Sequence, residues 1–134
     1  MTDVLREFTP DRPAIRHPDE VSAARRNLQS DEVYIALAET FRALGDSTRA
    51  KIVSLLMRNE MCVTDLAAVV GVTESAVSQH LRILRSQSLV RHRRDGQHVF
   101  YVLIDEHIEH IVRVALEHLG HSIELDAPPA PERD

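Results

Sequence analysis

Histidine and aspartate side chains supply the nitrogen and oxygen donors that hold a divalent metal ion, and both crowd into one stretch of this 134-residue chain. Residues 105–121 read DEHIEHIVRVALEHLGH and carry four of the eight histidines, His107, His110, His118 and His121. Along a helix turning about 100° per residue, the four fall within an arc of roughly 80°. They flank an apolar stripe of Ile104, Ile108, Ile111, Val112, Ala115, Leu116 and Leu119, while Glu106, Glu109, Arg113 and Glu117 occupy the opposite face. His107 and His118 are separated by about 16 Å of helix rise, whereas zinc ligands lie about 2 Å from the ion. One such helix cannot close a metal site alone. Two copies crossing antiparallel about a twofold axis can, because the start of one helix then meets the end of the other. The expected site takes Asp105 and His107 from one subunit and His118 and His121 from its partner, giving two symmetric tetrahedral sites per dimer. His118 and His121 are three residues apart and share a helix face. Asp105 would diverge from His107 by about 200° inside a helix, so it is expected at the N-cap, a position that suits aspartate. Histidines on a helix flank are otherwise ordinary solvated residues. His110 is open between a substitute ligand, a hydrogen-bond partner of a ligand and a surface residue.

The rest of the chain must position that helix, and its composition narrows what it can be. Its length suits one domain with a modest core. No apolar run is long enough to span a bilayer, and the opening MTDVLREFTPDRP lacks the hydrophobic segment of a signal peptide, so a soluble, cytoplasmic protein is expected. A single cysteine, Cys62, excludes an internal disulfide and fits a reducing compartment. Trp is absent and aromatics are few, which argues against stacking platforms for single-stranded nucleic acid. The net charge of −5 hides an uneven distribution. Residues 71–104 carry Arg82, Arg85, Arg91, Arg93 and Arg94 against only Glu74 and Asp95, whereas residues 105–134 carry two basic groups against eight acidic ones. Positive charge is thus concentrated in the one segment suited to face phosphate.

Taken in order, residues 1–18 hold Pro10, Pro13 and Pro18 among mixed charges and read as a flexible arm. Asp19 to Leu28 suits a short polar helix. Ser30 or Asp31 caps a stronger one carrying Val33, Ile35, Leu37, Ala38, Phe41 and Leu44, ended by Gly45. Asp46 or Ser47 caps the next helix, to about Arg58. Thr64 to Val70 forms a short helix ended by Gly71, where a tight turn needs positive φ, and Thr73 caps a further helix burying Ala76, Val77, Leu81 and Leu84. This is a helix-turn-helix pattern, whose second helix enters the major groove of double-stranded DNA. Its exposed positions, Ser75, Ser78, Gln79, His80, Arg82 and Arg85, offer hydroxyls, an amide and guanidinium groups to phosphates and base edges. Leu89 to Arg94 and Gln97 to Leu103 are β-rich runs joined at Asp95-Gly96, with Arg91, Arg93 and Arg94 crowding the hairpin tip. A basic hairpin after a recognition helix is the wing of a winged helix. Residues 19–121 therefore form a DNA-binding and dimerisation domain, mainly α with one small β-hairpin, followed by a disordered tail over residues 122–134.

These segments carry a resemblance. From about Asp31 to His121 the chain resembles the ArsR/SmtB family of winged-helix metal-sensing repressors, and most closely its zinc sensors. The matching stretches are ALGDSTRAKIVSLL, CVTDLAAVVGVTESAVSQHLRILRSQSLV, RRDGQHVFYVL and the DEH…H..H ending. The resemblance implies a homodimer paired through its terminal helices, bound to operator DNA when metal-free and released when metal binds. It places the family's C-terminal-helix site on Asp105, His107, His118 and His121, the set the spacing requires. It also implies a weak or vestigial second site at Cys62, Asp65 and His17, because cadmium and lead sensors show Cys-x-Cys where this chain has Cys62-Val63-Thr64. Neutral imidazoles and a carboxylate suit Zn(II) as the sensed ion. A six-coordinate Ni(II) or Co(II) sensor recruiting His110 or His17 is the alternative within the class, and a dimeric DNA-binding module without metal is a further one. A zinc hydrolase is not expected, since all four coordination positions are taken by protein and no helical HExxH occurs.

Overall fold

The computed structural model describes residues 13–121, so the expected tail and residues 1–12 of the expected arm lie outside the described residues. Those described residues form six helices and one antiparallel hairpin: α1 Pro18–Asn27, α2 Asp31–Leu44, α3 Ser47–Leu56, α4 Val63–Val70, α5 Glu74–Ser86, β1 Val90–Asp95, β2 His98–Leu103 and α6 Glu106–His118. The chain divides into two units, Met1–Tyr34 and Ile35–Asp134. No helix among the described residues is long and apolar enough to cross a membrane.

In the first unit, α1 opens with a proline in its first turn beside Asp19 and Glu20 and closes with Arg25 and Arg26, an order that complements the helix dipole. It buries no residue. The Tyr34 hydroxyl accepts from the Gln29 backbone N–H at 3.3 Å, across the link into α2.

The core lies in the second unit. Ile52 and Val53 of α3, Leu66 of α4, and Val77, Leu81 and Leu84 of α5 are almost completely buried, and Leu89, Val90 and Ile108 of α6 close the cluster. Local chemistry starts and stops these helices much as the sequence suggests. Asp46 caps α3 by accepting from the Arg49 N–H at 3.0 Å. Gly71 ends α4 in the left-handed region at φ 80°, and Thr73 caps α5 by accepting from the Ala76 N–H at 3.1 Å.

The hairpin departs from expectation by one residue. Asp95 pairs with His98, so the two-residue loop is Gly96-Gln97 and not Asp95-Gly96. Gly96, with φ 63°, takes the first central position, where the twist of a tight hairpin requires positive φ. A further feature has no local sequence signature. Met61 bridges antiparallel to Tyr101, exchanging hydrogen bonds of 3.2 and 2.8 Å, so the α3–α4 connection adds a fragment of third strand to the wing.

A candidate DNA-reading face and a histidine-bearing helix

The burial of α5 follows its apolar spacing. Val77, Leu81 and Leu84 at i, i+4 and i+7 sit against the core, which turns Ser75, Ser78, Gln79, Arg82 and Arg85 to solvent. His80 differs from the other candidates on this helix. Its side chain is only 23% exposed, and Nδ1 lies 3.3 Å from Arg49 Nη1 and 3.8 Å from Asp46 Oδ2. It is therefore engaged with α3. The Asp46 carboxyl is lowered from its ordinary value, first by the Arg49 backbone N–H it accepts and then by the charge of Arg49.

On the wing, Arg91, Arg93 and Arg94 are all exposed, yet they are not equivalent. Arg93 grips the Glu60 carboxylate with both Nε, at 2.6 Å, and Nη2, while its guanidinium lies 4.9 Å from the Phe100 ring centroid. This hydrogen-bonded pair lowers the Glu60 pKa and raises that of Arg93. Arg91 adds a weaker attraction to Glu60, and Arg94 is exposed near the tip, opposite Val99. Arg93 thus anchors the wing to the α3–α4 connection that already carries the Met61–Tyr101 bridge.

Helix α6 presents the histidines. Asp105 occupies the N-cap in extended conformation, its Oδ1 accepting from the backbone N–H of His107 at 2.9 Å and of Ile108 at 3.3 Å. Its Oδ2 lies 3.5 Å from Nδ1 of His107, whose side chain is 89% exposed. One carboxylate oxygen therefore starts the helix while the other sits beside the first imidazole. His110 is exposed one turn on, and Glu106, His107, Glu109, His110 and Arg113 line an open cleft of about 470 Å³.

At the other end the helix stops at His118, so His121 does not lie on a helical face with it as the spacing suggested. Gly120, at φ 87°, reverses the chain. Its N–H donates to the Glu117 carbonyl at 3.0 Å, and the His121 N–H donates back to the Leu116 carbonyl at 2.9 Å. This paired closure is a Schellman motif, and it fixes the backbone of His121 over the last turn. Gly120 was the signal for it in the sequence. His107 and His118 stand at opposite ends of α6, and among the described residues of one chain no three His, Cys, Asp or Glu side chains gather into a group able to hold a metal ion.

The remaining candidates are dispersed. Cys62 is half-buried at the N-cap of α4, without a side-chain capping bond, and Asp65 is exposed in the first turn of that helix. His17 precedes α1 in the first unit, where its carbonyl accepts from the Val21 N–H at 3.0 Å.

Large apolar side chains also remain uncovered. On α2, Ile35, Leu37 and Phe41 are exposed, as are Ile111 and Val114 on α6 and Leu119 just beyond it. Of the apolar stripe on α6, only Ile108 is buried.

Comparison with known proteins places this arrangement. Residues 46–92 match the family described as bacterial regulatory protein, arsR family. The chain is similar to a transcriptional repressor SmtB homolog of Synechocystis sp., with 44% identity over 112 residues covering 84% of each chain. It is also similar to a cadmium resistance transcriptional regulatory protein CadC homolog of Staphylococcus aureus, 35% identical over 76% of this chain and 84% of the other. Among solved structures, it is similar to a homodimeric winged helix-turn-helix DNA-binding domain from Mycobacterium bovis, a possible ArsR-family regulator. The TM-score is 0.62 and the identity 30%, over 71% of this chain and 94% of that one.

Proposed function

Because this chain belongs to the arsR family of bacterial regulatory proteins, a family of DNA-binding transcriptional regulators and not of enzymes, we propose that it is a homodimeric repressor that leaves its operator on binding Zn(II). The observation that carries this reading is the construction of α6. Its start holds Asp105 and His107 side by side, its end holds His118 and His121, and exposed apolar residues lie between them. The donors at either end are too few for a site, but the two ends together form one. Two α6 helices pairing antiparallel through Ile111, Val114 and Leu119 bring Asp105 and His107 of one subunit to His118 and His121 of the partner subunit. Three imidazoles and a carboxylate, all on exposed side chains, fit Zn(II).

In the metal-free dimer, Ser75, Ser78, Gln79, Arg82 and Arg85 of each α5 enter the major groove while Arg91 and Arg94 of the wing reach flanking phosphates. Closing both metal sites locks the α6 pair. Where that arrangement no longer spaces the two α5 helices for successive grooves about 34 Å apart, metal and DNA oppose each other. Cys62, Asp65 and His17 are at most a weak second site, since the donors at the start of α4 comprise one thiol and one carboxylate.

The test is fluorescence anisotropy of the metal-free protein on a duplex from upstream of its own gene, with Zn(II), Ni(II) and Co(II) added separately under chelator buffering. Release by Zn(II) at the lowest free concentration, with one ion per subunit, is the expected result. His118→Ala is expected to bind the duplex normally and to resist release, and a variant that still dissociates on adding zinc removes His118 from the site. One observation favours a second reading. His110 is exposed beside His107 in the acidic cleft of α6, which suits a six-coordinate Ni(II) or Co(II) site. The absorption spectrum of the Co(II) form distinguishes four-coordinate from six-coordinate geometry.

A further inference from the structure

Arg49 stands where three helices meet. Its Nε donates to the Ala43 carbonyl at 2.6 Å and its Nη2 to the Arg42 carbonyl at 3.4 Å, both in the last turn of α2, where carbonyls lack partners within the helix. Its Nη1 approaches His80 Nδ1 of α5 at 3.3 Å. A guanidinium can only donate, so Nδ1 accepts. The Arg49 backbone is itself held, its N–H donating to the Asp46 side chain that caps α3. A Cβ at Gly45 would lie 3.1 Å from the Phe41 carbonyl oxygen, tighter than ordinary van der Waals contact, so glycine suits the close turn between α2 and α3.

Little else ties these helices together directionally. Ala43 is the only buried residue of α2, and a cleft of about 290 Å³ lined by Glu39, Arg42, Ala43, Arg49, Ile83 and Gln87 lies between α2 and α5. Apolar packing is non-directional and tolerates small rotations. A fork of hydrogen bonds from one planar group does not.

We propose that Arg49 is a positioning residue for DNA binding: by bridging the end of α2 to His80, it fixes the orientation of α5, so that His80 acts within the protein and not on DNA. The exposed apolar face of α2 is available to a second copy, and the Arg49 bridge then delivers the α2 arrangement in the dimer to the helix that reads the groove. This inference rests on the proposed role of α5 at operator DNA.

The experiment measures operator affinity of the intact dimer across a series of salt concentrations for the unsubstituted protein, Arg49→Ala, Arg49→Lys, His80→Asn and the double variant Arg49→Ala/His80→Asn. Thermal melting and zinc stoichiometry are followed in parallel. Arg49→Ala is expected to lose tenfold or more in affinity with the salt slope unchanged, because no phosphate contact is removed. Arg49→Lys is expected to recover little, since an ammonium cannot span both the α2 carbonyls and the imidazole. The double variant is expected to be no worse than the Arg49→Ala single, as for two residues acting through one linkage.

A salt slope reduced by about one in Arg49→Ala marks a direct phosphate contact and overturns the proposal. So do additive losses in the double variant, or an affinity that is unchanged while the melting temperature falls. Should Arg49→Ala not fold, Arg49→Lys and His80→Asn decide the question: retention of full affinity by both overturns it. Failure of the unsubstituted protein to bind any duplex from its own upstream region removes the operator reading itself, and the inference with it.

Discussion

At the scale of single residues, the charged groups near the wing divide by whether a partner within the chain holds them. Arg93 is gripped by Glu60 and laid over Phe100, whereas Arg82 is exposed on the solvent face of α5. Arg82→Ala is therefore expected to weaken operator binding and lower its salt slope by about one, leaving zinc stoichiometry intact. Unchanged affinity at fixed salt would remove Arg82 from the interface. Glu60→Gln should act on stability instead. The Arg93 hydrogen bonds lower the Glu60 pKa below its ordinary 4.5, so the pair's contribution is fully present above about 4.5 and is lost as pH falls through the lower, folded-state value. The melting temperature of Glu60→Gln is expected below that of the parent at pH 7, with the gap constant down to about pH 5 and closing at more acidic pH. A gap independent of pH would show that the Glu60 charge contributes nothing to stability. Glu60 and Arg93 are 33 positions apart, so no local pattern announces the pair. His80 is a similar case, because its helical position leaves it free to face either DNA or α3, and its contacts with Asp46 and Arg49 come from the packing of α5 against α3.

At the scale of elements, what was legible in the sequence is what local chemistry controls. Asp46, Gly71, Thr73 and Asp105 start or stop their helices through bonds reaching no further than four residues, and the apolar spacing of α5 fixes its buried side. What was not legible depends on distant chain. The Met61–Tyr101 bridge is a pairing across forty residues, and the hairpin loop sits one position along from the expected one, with Gly96 at the first central position where positive φ is needed. The end of α6 lies between these cases, since the Gly120 signal is local but its effect is to place His121. Gly120→Ala puts a Cβ on a backbone at φ 87° with open space around it, so the cost is conformational strain, about 1 kcal/mol. The expected result is a melting temperature lower by a few degrees, zinc affinity reduced tenfold or more, and metal-free operator binding unaltered. Zinc affinity equal to the parent would show that His121 is not a ligand, or that its placement does not depend on the turn.

At the scale of the molecule, a net charge of −5 is compatible with DNA binding because the arginines of α5 and β1 are segregated from the acidic residues of α6. In the proposed reading the same segregation separates the two ligands, with DNA at α5 and the wing and the metal ion at the ends of α6. Two sites that do not overlap can affect one another only through a difference in the dimer arrangement each prefers, and such coupling is reciprocal. If zinc lowers operator affinity a hundredfold, about 2.7 kcal/mol, saturating operator must lower zinc affinity a hundredfold as well. A chelator competition run with and without a saturating duplex measures this directly, and the two factors are expected to agree. Zinc affinity indifferent to DNA, alongside release of DNA by zinc, would violate that equality for a single pair of sites. It would locate the metal responsible for release somewhere other than α6, with Cys62 and Asp65 the next donors to substitute. Ile111→Glu separates this outcome from simple loss of the dimer. A charge on the exposed apolar face of α6 is expected to yield monomers by sedimentation and to abolish both tight zinc binding and operator binding together, because each proposed site draws on two subunits.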